Sequence, residues 1–224
     1  MVTTTALHLT ATSGDEDAVK QLLTNQRLLL EVNSRDEYGH TALHSAAING
    51  HDKVVLLLLA DPRVDVNCGD KYGAQPLNLA ADAGNDKVVQ ILLADPRVEI
   101  NASDKHGCTP LLAAATWGRT RVVQLLLEDP RLDVNCNLCG IYKGNRPLHQ
   151  AVQSNNPEVV RLLLADPRTE VNCKNKNGDT PLMFHVKTAL VENSTITLRL
   201  LLNHPSVDVN TTDKEGKGVK EVAR

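Results

Sequence analysis

A leucine-rich segment that contains Asp-Pro-Arg and closes on an asparagine recurs along the chain, and its regular spacing constrains the fold more than any other feature. Copies of the segment LLLADPRVDVN close at Asn67, Asn101, Asn135, Asn172 and Asn210, and a looser copy closes at Asn33. The aspartates of the four Asp-Pro-Arg motifs lie 34, 34 and 37 residues apart. A fixed period of this length indicates an array of stacked structural repeats.

The residues of one copy predict its local structure. A leucine pair ends the apolar face of a helix, and Pro62 cannot continue that helix. Proline also disfavours helical geometry at the residue before it, Asp61. The residues from Val64 to Asn67 then alternate between apolar and polar, which indicates an extended segment. Each copy is therefore predicted to be the end of a helix followed by an extended loop.

A second recurring segment precedes each leucine run and predicts another helix. Its copies TALHLTA, TALHSAA, QPLNLAA, TPLLAAA, RPLHQAV and TPLMFHV begin at Thr5, Thr41, Gln75, Thr109, Arg146 and Thr180. Threonine is a good helix N-cap, and proline suits the first position of a helix. Gly50, Gly84 and Gly118 then end this short helix, and the helix that follows carries its valines and leucines on one face.

The two segments together resemble the ankyrin repeat, D-x-x-G-x-T-P-L-H-x-A-A-x-x-G-x-x-x-V-V-x-x-L-L. The residues DKHGCTPLLAAATWGRTRVVQLLL, which begin at Asp104, follow this pattern nearly throughout. The resemblance implies an all-α repeat solenoid, an ankyrin-repeat stack of helix-turn-helix units with protruding β-hairpin loops. We expect a single ankyrin-repeat domain over residues 1–224, with repeats near 1–33, 34–67, 68–101, 102–135, 136–172 and 173–210 and a partial C-terminal cap at 211–224.

Three features depart from the family pattern. The loop that the family usually closes as G-A-D-V-N is one residue longer here, so the period is 34 residues, whereas about 33 is usual. Three extra residues fall in the hairpin between Asn135 and Pro147. Four more fall between Phe184 and Leu200, where the turn glycine is missing, and we expect the first helix of that repeat to be longer.

Composition and charge narrow the class of protein. Apolar residues make up 42% of the chain and aromatic residues only 2%, so the predicted core is aliphatic. The net charge of −3 gives no argument for binding nucleic acid or a membrane. The N-terminal residues lack the basic start and apolar run of a signal peptide, and an odd number of cysteines, five, favours reduced thiols. We therefore expect a cytoplasmic monomer, with the nucleus as an alternative location.

The residues that could carry catalysis occupy recurring positions, which favours structural roles. His8, His44 and His149 share the T-P-L-H position and are predicted to hydrogen-bond the backbone of an adjoining hairpin. No serine or cysteine nucleophile recurs beside a histidine and a third orienting group, and no glycine-rich phosphate loop is present. We expect no enzyme activity and no cofactor.

The cysteines are predicted to be packing residues. Cys68, Cys136 and Cys173 each follow the closing asparagine of a repeat, where the family prefers a small side chain. Cys136 and Cys139 form a C-x2-C pair in the hairpin insertion, but zinc needs four ligands and only this pair has suitable spacing. We expect five free thiols and no metal, with a redox or metal role for the pair left open.

The few aromatic residues lie outside the core stripes and are candidates for partner binding. They are Tyr38, Tyr72, Trp117, Tyr142 and Phe184. The first two share a hairpin position with His106, Trp117 ends a first helix, and Tyr142 lies in the hairpin insertion. In the ankyrin family, hairpin tips and first helices line the concave groove that binds partners, and aromatic side chains are common anchors. The alternative is that the two hairpin tyrosines pack along the hairpin row and Phe184 packs against its neighbours.

Polar residues complete the predicted partner-binding surface. First-helix positions comparable to that of Trp117 are occupied by Asp82, Thr116, Gln153 and Ser154, which we expect to surround it. Lysines follow the first residue of several hairpins, at Lys71, Lys105, Lys176 and Lys214. Because acids such as Asp70 and Asp104 adjoin this row, it indicates either a solvated rim or a site for a partner with an acidic stripe.

The Asp-Pro-Arg loops are predicted to form a ladder along one edge. An arginine recurs in each of four repeats, at Arg63, Arg97, Arg131 and Arg168. Stacking would place each arginine near acids of its own and of the adjacent repeat. Exposed ion pairs contribute only about 0–1 kcal/mol each, so we expect the ladder mainly to fix the register of the repeats.

The predicted function is a non-catalytic protein–protein interaction module or scaffold that binds a partner protein through the concave groove. The alternative is a regulatory or targeting ankyrin segment of a larger enzyme or effector protein. The partner itself cannot be named from the sequence, because one fold hosts many functions.

Overall fold

The computed structural model describes residues 5–24, 32–137, 144–188 and 195–222, and helices are the regular elements within those ranges. The chain forms two compact units, residues 1–105 and residues 106–224. The first unit holds α1 (Ala6–Ser13), α2 (Glu16–Thr24), α3 (Ala42–Asn49), α4 (Asp52–Leu59), α5 (Pro76–Ala83) and α6 (Asp86–Ala94). The second holds α7 (Pro110–Thr116), α8 (Thr120–Glu128), α9 (Pro147–Gln153), α10 (Pro157–Ala165), α11 (Pro181–Thr188), α12 (Thr195–Asn203) and α13 (Val219–Val222). The all-α repeat architecture is confirmed, and the assignment of residues 1–224 to a single domain stays a prediction.

Helix α3, the first helix of its repeat, begins and ends at the predicted signals. Thr41 has extended geometry directly before α3, with φ −89° and ψ 171°, and Gly50 follows the helix in left-handed geometry with φ 75°. A Cβ atom at Gly50 would lie 2.9 Å from Oδ1 of Asn85 in the next repeat. Glycine therefore permits both the left-handed turn and the close approach of the neighbouring repeat.

The second helices end before the Asp-Pro-Arg motifs, as predicted. Helix α6 ends at Ala94, and Asp95 after it is extended, with ψ 118°. The alternation after the motif is visible in burial, because Val64 and Val66 are buried and Asp65 is exposed. The segment nevertheless consists of turns, and no strand occurs among the described residues. The polar groups of these loops bond across to neighbouring repeats and do not form a ladder of paired strands.

Helices of successive repeats pack on one another within each unit. First helices contact first helices, as α3 contacts α1 and α5, and second helices contact second helices, as α4 contacts α2 and α6. Fully buried leucines fill these contacts, namely Leu43, Leu58, Leu77 and Leu92 in the first unit and Leu111, Leu126, Leu148, Leu163, Leu182 and Leu201 in the second. Each such side chain contributes about 1.5–3 kcal/mol to stability. Stability is therefore distributed over the interfaces between neighbouring repeats.

The T-P-L-H histidines connect neighbouring repeats, as predicted. Nε2 of His44 lies 3.0 Å from the Ala74 carbonyl of the next hairpin, and the backbone N–H of Thr41 donates to Nδ1 at 3.1 Å. Equivalent bonds join His8 to the His40 carbonyl and His149 to the Asp179 carbonyl. Burial lowers the pKa of His44 and of His149 to about 4. Both rings are therefore neutral near pH 7, and Nε2–H donates to the carbonyl.

The Asp-Pro-Arg arginines bond to acids of their own motif. Nη2 of Arg97 lies 2.5 Å from Oδ2 of Asp95. The same pair recurs in Arg63–Asp61, Arg131–Asp129 and Arg168–Asp166. Each aspartate carboxylate also accepts the backbone N–H of its arginine, at 2.8–3.0 Å. The predicted contact between each arginine and an acid of its own repeat is confirmed.

The link of these arginines to the adjacent repeat differs from the prediction. Nη2 of Arg97 donates to the carbonyl of Leu59 at 2.9 Å, at the C-terminal end of α4, and does not contact an acid there. Arg168 likewise reaches the carbonyls of Leu127 and Asp129. The last carbonyls of a helix lack partners within the helix and carry partial negative charge, so a guanidinium satisfies them well. An acid of the adjacent repeat contributes at Arg168, whose pKa is raised mainly by Asp166 and further by Asp129.

The closing asparagines form a second link, which the sequence did not predict. The side chain of Asn67 donates to the Arg97 carbonyl at 2.7 Å and accepts the N–H of Glu99 at 3.0 Å. The same two bonds join Asn33 to Arg63 and Asp65, Asn135 to Arg168 and Glu170, and Asn172 to Ser206 and Asp208. Each asparagine therefore connects to the Asp-Pro-Arg loop, or its equivalent, of the following repeat.

The predicted insertions fall largely outside the described residues. Helix α11 has eight residues and ends at Thr188, the last residue described before a gap, so the longer first helix expected there stays a prediction. Residues 189–194 of that repeat and residues 138–143 of the hairpin insertion lie outside the described ranges. Tyr142, Lys143 and Cys139 are in the second of these ranges.

Candidate partner-binding surface

Trp117 lies at the surface of the second unit. It follows the last residue of α7, its backbone N–H bonds to the Ala113 carbonyl at 3.1 Å, and 61% of the residue is exposed. The helix needs the backbone of Trp117 for this bond, but the fold leaves its indole mostly in solvent. A large aromatic side chain that contributes little burial to the core is free to contact a partner.

The polar residues expected around Trp117 occupy the ends of first helices. Asp82, Gln153 and Ser154 are exposed. Thr116 is half-buried, and its hydroxyl donates back to the Leu112 carbonyl of α7 at 2.8 Å. That hydroxyl is already satisfied within the helix, so Thr116 can offer a partner mainly its methyl group.

Two first-helix residues with exposed apolar side chains were not predicted. Ile48 at the end of α3 is 42% exposed, and Leu9 of α1 is 63% exposed. Each was inconspicuous because aliphatic residues are usual in this repeat. Alignment of the repeats could have revealed Ile48, since the equivalent positions carry the polar residues Asp82, Thr116 and Gln153.

Lys187 occupies this same first-helix position in the last full repeat, but it is used within the fold. Its Nζ lies 2.5 Å from Oδ1 of Asp179 and 2.7 Å from Oδ2 of Asp213. The bond to Lys187 is the main cause that lowers the pKa of Asp213 to about 2. The ammonium thereby ties α11 to the final turn.

The hairpin tyrosines are exposed at the tips of turns. Tyr38 and Tyr72 are 57% and 62% exposed. The turn is organised by its first residue, because Oδ1 of Asp70 accepts the N–H groups of Tyr72 and Ala74, both at 2.8 Å. His106, which takes the tyrosine position in the next repeat, is also exposed. The bonds to Asp70 use the backbone of the turn and leave the ring of Tyr72 exposed, whereas the ring of Tyr38 lies 5.9 Å from that of His40.

Phe184 is placed differently from the other aromatic residues. It is half-buried on α11, and its ring meets the ring of His149 edge-on, with centroids 5.8 Å apart. This contact supports packing as at least part of its role. Tyr142 lies outside the described residues.

The candidate residues are divided between the two compact units. Tyr38, Lys71, Tyr72, Asp82 and Lys105 belong to the first unit, and His106, Thr116, Trp117, Gln153, Ser154 and Phe184 belong to the second. Lys71 and Lys105 are exposed. A surface that combines residues of both units remains a proposal.

Three of the described cysteines, Cys68, Cys136 and Cys173, are partly or fully buried and carry free thiols. Burial is the main cause that raises the pKa of Cys136 and of Cys173 to about 11. Sγ of Cys136 lies 3.0 Å from the hydroxyl of Thr109. Such thiols are protonated and weakly nucleophilic at neutral pH, which agrees with the predicted packing role.

Metal-binding clusters and membrane-spanning helices do not occur in the described part of the chain. It contains no group of three or more histidine, cysteine or acidic side chains arranged to hold a metal ion. No helix described there combines the length and apolar character needed to cross a bilayer.

Comparison with known proteins places the repeats in a large family. The sequence profile of ankyrin repeats, in three copies, matches residues 2–70, 59–138, 77–175 and 148–218. The human ankyrin repeat domain-containing protein SOWAHB is 43% identical over 58 residues, which are 25% of this chain and 7% of that protein. The present chain therefore matches only a small part of that much longer relative.

Solved structures share the fold at low sequence identity. The ankyrin repeat domain of Bcl-3, described as a unique member of the IkappaB family, has a TM-score of 0.87 and 24% identity, with 100% of this chain and 96% of that chain covered. The human ASB11 ankyrin repeat domain has a TM-score of 0.78 and 22% identity, with coverage of 99% and 92%. At these identities the likeness concerns the fold alone.

Proposed function

Since the chain belongs to the ankyrin-repeat family, we propose that it is a non-catalytic module that binds a partner protein with its first-helix ends and hairpin tips. Ankyrin-repeat domains generally act in protein–protein interaction. The observation that carries the assignment to this surface is the exposure of Trp117, 61%, in a chain with only one tryptophan and 2% aromatic residues. Exposed tryptophan and tyrosine side chains are the residue types most often found at the energetic centre of interfaces.

The polar residues at the ends of the first helices support the assignment of partner binding to this surface. Gln153 and Ser154 are exposed at the end of the next first helix, α9, and supply polar groups. Thr116, the last residue of α7, is half-buried. In the first unit, Tyr72 and Asp82 supply the comparable aromatic and polar groups. An apolar anchor with polar neighbours is the usual composition of a specific protein interface.

A larger protein that uses this chain as a regulatory or targeting segment is the second candidate function. It is favoured by the human relative, of which the matching residues form 7%. Sequencing of the full-length transcript together with the intact mass of the natural protein tests it. A natural protein no larger than these 224 residues would exclude this alternative.

The proposal also includes a monomer in the cytoplasm or nucleus. The free thiols support the location.

The binding proposal is tested by capture of a partner with the intact protein, followed by titration of that partner against variants. Trp117→Ala should weaken binding by about thirtyfold, equivalent to about 2 kcal/mol. Tyr72→Ala tests the first unit in the same way. Leu56→Ala is the matched control, because Leu56 is an exposed apolar residue, 52% accessible, on the second helix α4.

The outcomes separate two surfaces. Leu56 lies in a shallow groove beside an Asp-Pro-Arg motif, together with Ile91 and Pro96. Unchanged affinity in Trp117→Ala and Tyr72→Ala, with a loss in Leu56→Ala, would assign partner binding to this edge and overturn the proposal. Far-ultraviolet circular dichroism of each variant confirms that the helices are intact.

A further inference from the structure

Hydrogen bonds between successive hairpins order four exposed side chains of the first unit. The backbone N–H of Lys71 donates to the Tyr38 carbonyl at 3.0 Å, and that of Lys105 donates to the Tyr72 carbonyl at 2.8 Å. The residues Tyr38, Lys71, Tyr72 and Lys105 therefore form a continuous row in which aromatic and cationic residues alternate. We call this row the tip ladder.

The lysine side chains of the tip ladder are held in place by the turns beneath them. A Cβ atom added at Gly39 would lie 3.3 Å from Cγ of Lys71, and one at Gly73 would lie 3.3 Å from Cγ of Lys105. The aliphatic stems thus cover the glycines of the preceding turns. Nζ of Lys105 also donates to the Lys71 carbonyl at 2.7 Å. Side chains that are already ordered lose little conformational entropy when they bind a ligand.

The acids that open the first two turns, Asp36 and Asp70, are mostly buried, whereas Asp104, which precedes Lys105, is half-buried. The side chain of Asp70 is only 4% exposed, and its Oδ2 lies 3.5 Å from Nε2 of His40. Its other oxygen accepts two backbone N–H groups of its own turn. Asp36 is 15% exposed and accepts the N–H groups of Tyr38 and His40 in the same way. Asp70 and Lys71 are adjacent in the sequence, but the side chain of Asp70 is buried in the fold and that of Lys71 is exposed to solvent.

The exposed charges of these turns are positive on balance, although the half-buried Asp104 lies beside Lys105. Arg35, Lys71 and Lys105 are exposed, and Glu37 is the exposed acid among the same turn residues. The chain as a whole carries a net charge of −3. The tip ladder is therefore a local cationic patch on an acidic protein, flanked by two aromatic rings.

We propose that the tip ladder binds an acidic, extended segment of a partner protein, with carboxylates against Lys71 and Lys105 and apolar side chains against Tyr38 and Tyr72. This inference rests on the proposed function and names the chemistry of the partner. Packed helices of adjacent repeats lie about 8–10 Å apart. A chain in polyproline II conformation rises about 3.1 Å per residue with three residues per turn, so residues i and i+3 share one face about 9 Å apart. The segment should therefore carry an acid at every third residue.

A single-stranded nucleic acid is the competing ligand, because bases also stack on aromatic rings beside lysines. The net charge of −3 opposes the approach of a polyanion at long range. An acidic peptide carries fewer charges and offers apolar side chains to the tyrosines. The peptide is therefore the ligand that the observations favour.

The test uses the full chain and fluorescein-labelled peptides of about twelve residues in fluorescence anisotropy. The probe repeats Glu-Pro-Leu, and the two comparison peptides are its Lys-Pro-Leu counterpart and a peptide of the same composition with the glutamates clustered. We expect the Glu-Pro-Leu peptide to bind most tightly, with an affinity that falls as salt rises. Equal binding of the Lys-Pro-Leu peptide would overturn the proposal.

Matched variants localise the binding. The double variant Lys71→Ser/Lys105→Ser should weaken binding of the Glu-Pro-Leu peptide by at least about fivefold, whereas Lys71→Arg/Lys105→Arg should retain it. The control Lys20→Ser/Lys87→Ser removes two exposed lysines from the second helices of the same unit. If the test and control variants lose the same amount of affinity for the peptide, the effect comes from the net charge of the protein, and the proposed site is refuted.

Two further outcomes keep this inference separate from the proposed function. Tighter binding of a twelve-nucleotide oligouridine than of the peptide would assign the tip ladder to nucleic acid. If Trp117→Ala weakens binding of the captured partner and the double lysine variant leaves the peptide affinity unchanged, the proposed function stands and this inference fails. Loss of peptide binding in the lysine variant, with partner binding unaffected by Trp117→Ala, would support the tip ladder and count against the surface around Trp117.

Discussion

The side-chain amide of Gln75 donates a 3.2 Å hydrogen bond to Oε2 of Glu99, in the loop after the second helix of the same repeat. Arg146 and Glu170 form the corresponding pair at 2.5 Å. In both repeats a long side chain occupies the position before the first helix, and the acid of the loop is glutamate. Where that position is threonine, at Thr41, Thr109 and Thr180, the acid is aspartate, at Asp65, Asp133 and Asp208. The first repeat departs from this pattern, because its threonine, Thr5, is matched by Glu31. In the five later repeats the length of the acid follows the length of the residue before the first helix.

This pairing predicts a coupling between Arg146 and Glu170. Glu170→Asp shortens the acid by one methylene and should break the contact, at a cost below about 1 kcal/mol because Glu170 is 60% exposed. Arg146→Thr should also destabilise the protein, since it loses a second bond to Asn137 as well. The double variant recreates the combination of residues found at positions 109 and 133, threonine and aspartate, and should lose less than the sum of the two single changes. Urea denaturation of the four proteins gives the coupling energy, and strict additivity would contradict the prediction.

The buried histidines predict a loss of stability on acidification. The pKa of His44 is about 4 in the folded protein and about 6.5 in an unfolded chain. As pH falls below 6.5 the unfolded state binds the proton first, so the free energy of unfolding decreases until about pH 4, where the folded state is protonated too. Between pH 6.5 and pH 4, one such histidine should lower the free energy of unfolding by about 3 kcal/mol. His149 should contribute in the same direction.

The third repeat supplies a variant without a titrating group. Asn78 takes the histidine position there, accepts the N–H of Gln75 at 3.0 Å and donates to the Ala102 carbonyl at 3.1 Å. By analogy, an asparagine at position 44 should accept the N–H of Thr41 and donate to the carbonyl of Cys68, the equivalent of Ala102, in place of the Ala74 carbonyl. His44→Asn should therefore reduce the loss of stability between pH 7.5 and pH 5 by about 2 kcal/mol. Urea denaturation at the two pH values measures this difference. An unchanged pH dependence in the variant would show that His44 is not the group that titrates.

Core truncation should matter more inside the array than at its end. Leu126 is fully buried on α8, so Leu126→Ala should cost about 2–5 kcal/mol. Leu22 on α2 is half-buried in the first repeat, and Leu22→Ala should cost less. Chemical denaturation compares the two variants, and a larger loss for Leu22→Ala would contradict a stability that depends on neighbours on both sides.

The asparagine links predict a position-dependent effect of one substitution. Asn67→Ala removes two hydrogen bonds to the next repeat and should cost about 1–2 kcal/mol. Asn210 closes the last copy of the loop and is exposed. Asn210→Ala is therefore the control and should change stability by less than about 0.5 kcal/mol. Equal effects in unfolding experiments would mean that the link between repeats contributes nothing measurable.

The sequence predicted the helices and the histidine links because their signals are local or repeated. Thr41, Gly50 and Pro62 act on the backbone within a few residues, so their effect follows from position alone. His44 recurs at one repeat position with equivalents at His8 and His149, which made a structural role the better interpretation.

Other features depended on where a side chain points, which composition and spacing do not record. The carbonyl that Arg97 reaches at Leu59 belongs to the main chain, and every residue offers such a group. Asp70 and Lys71 are adjacent in sequence, but one side chain is turned into the fold and the other is exposed. The side chain of Asp70 is buried because it accepts the N–H groups of its own turn. The side chain of Lys71 is exposed, and its aliphatic stem covers the glycine of the preceding turn.

The four asparagine links described above are made to main-chain groups of the next repeat, such as the carbonyl of Arg97 and the N–H of Glu99. A neighbour therefore needs a loop of the correct shape and no particular side chain in order to fit. Repeats that share this joint can be duplicated, deleted or exchanged by recombination, and each new junction restores the same two bonds. A gene built from such units can lengthen its product or alter its exposed residues without having to evolve new joints.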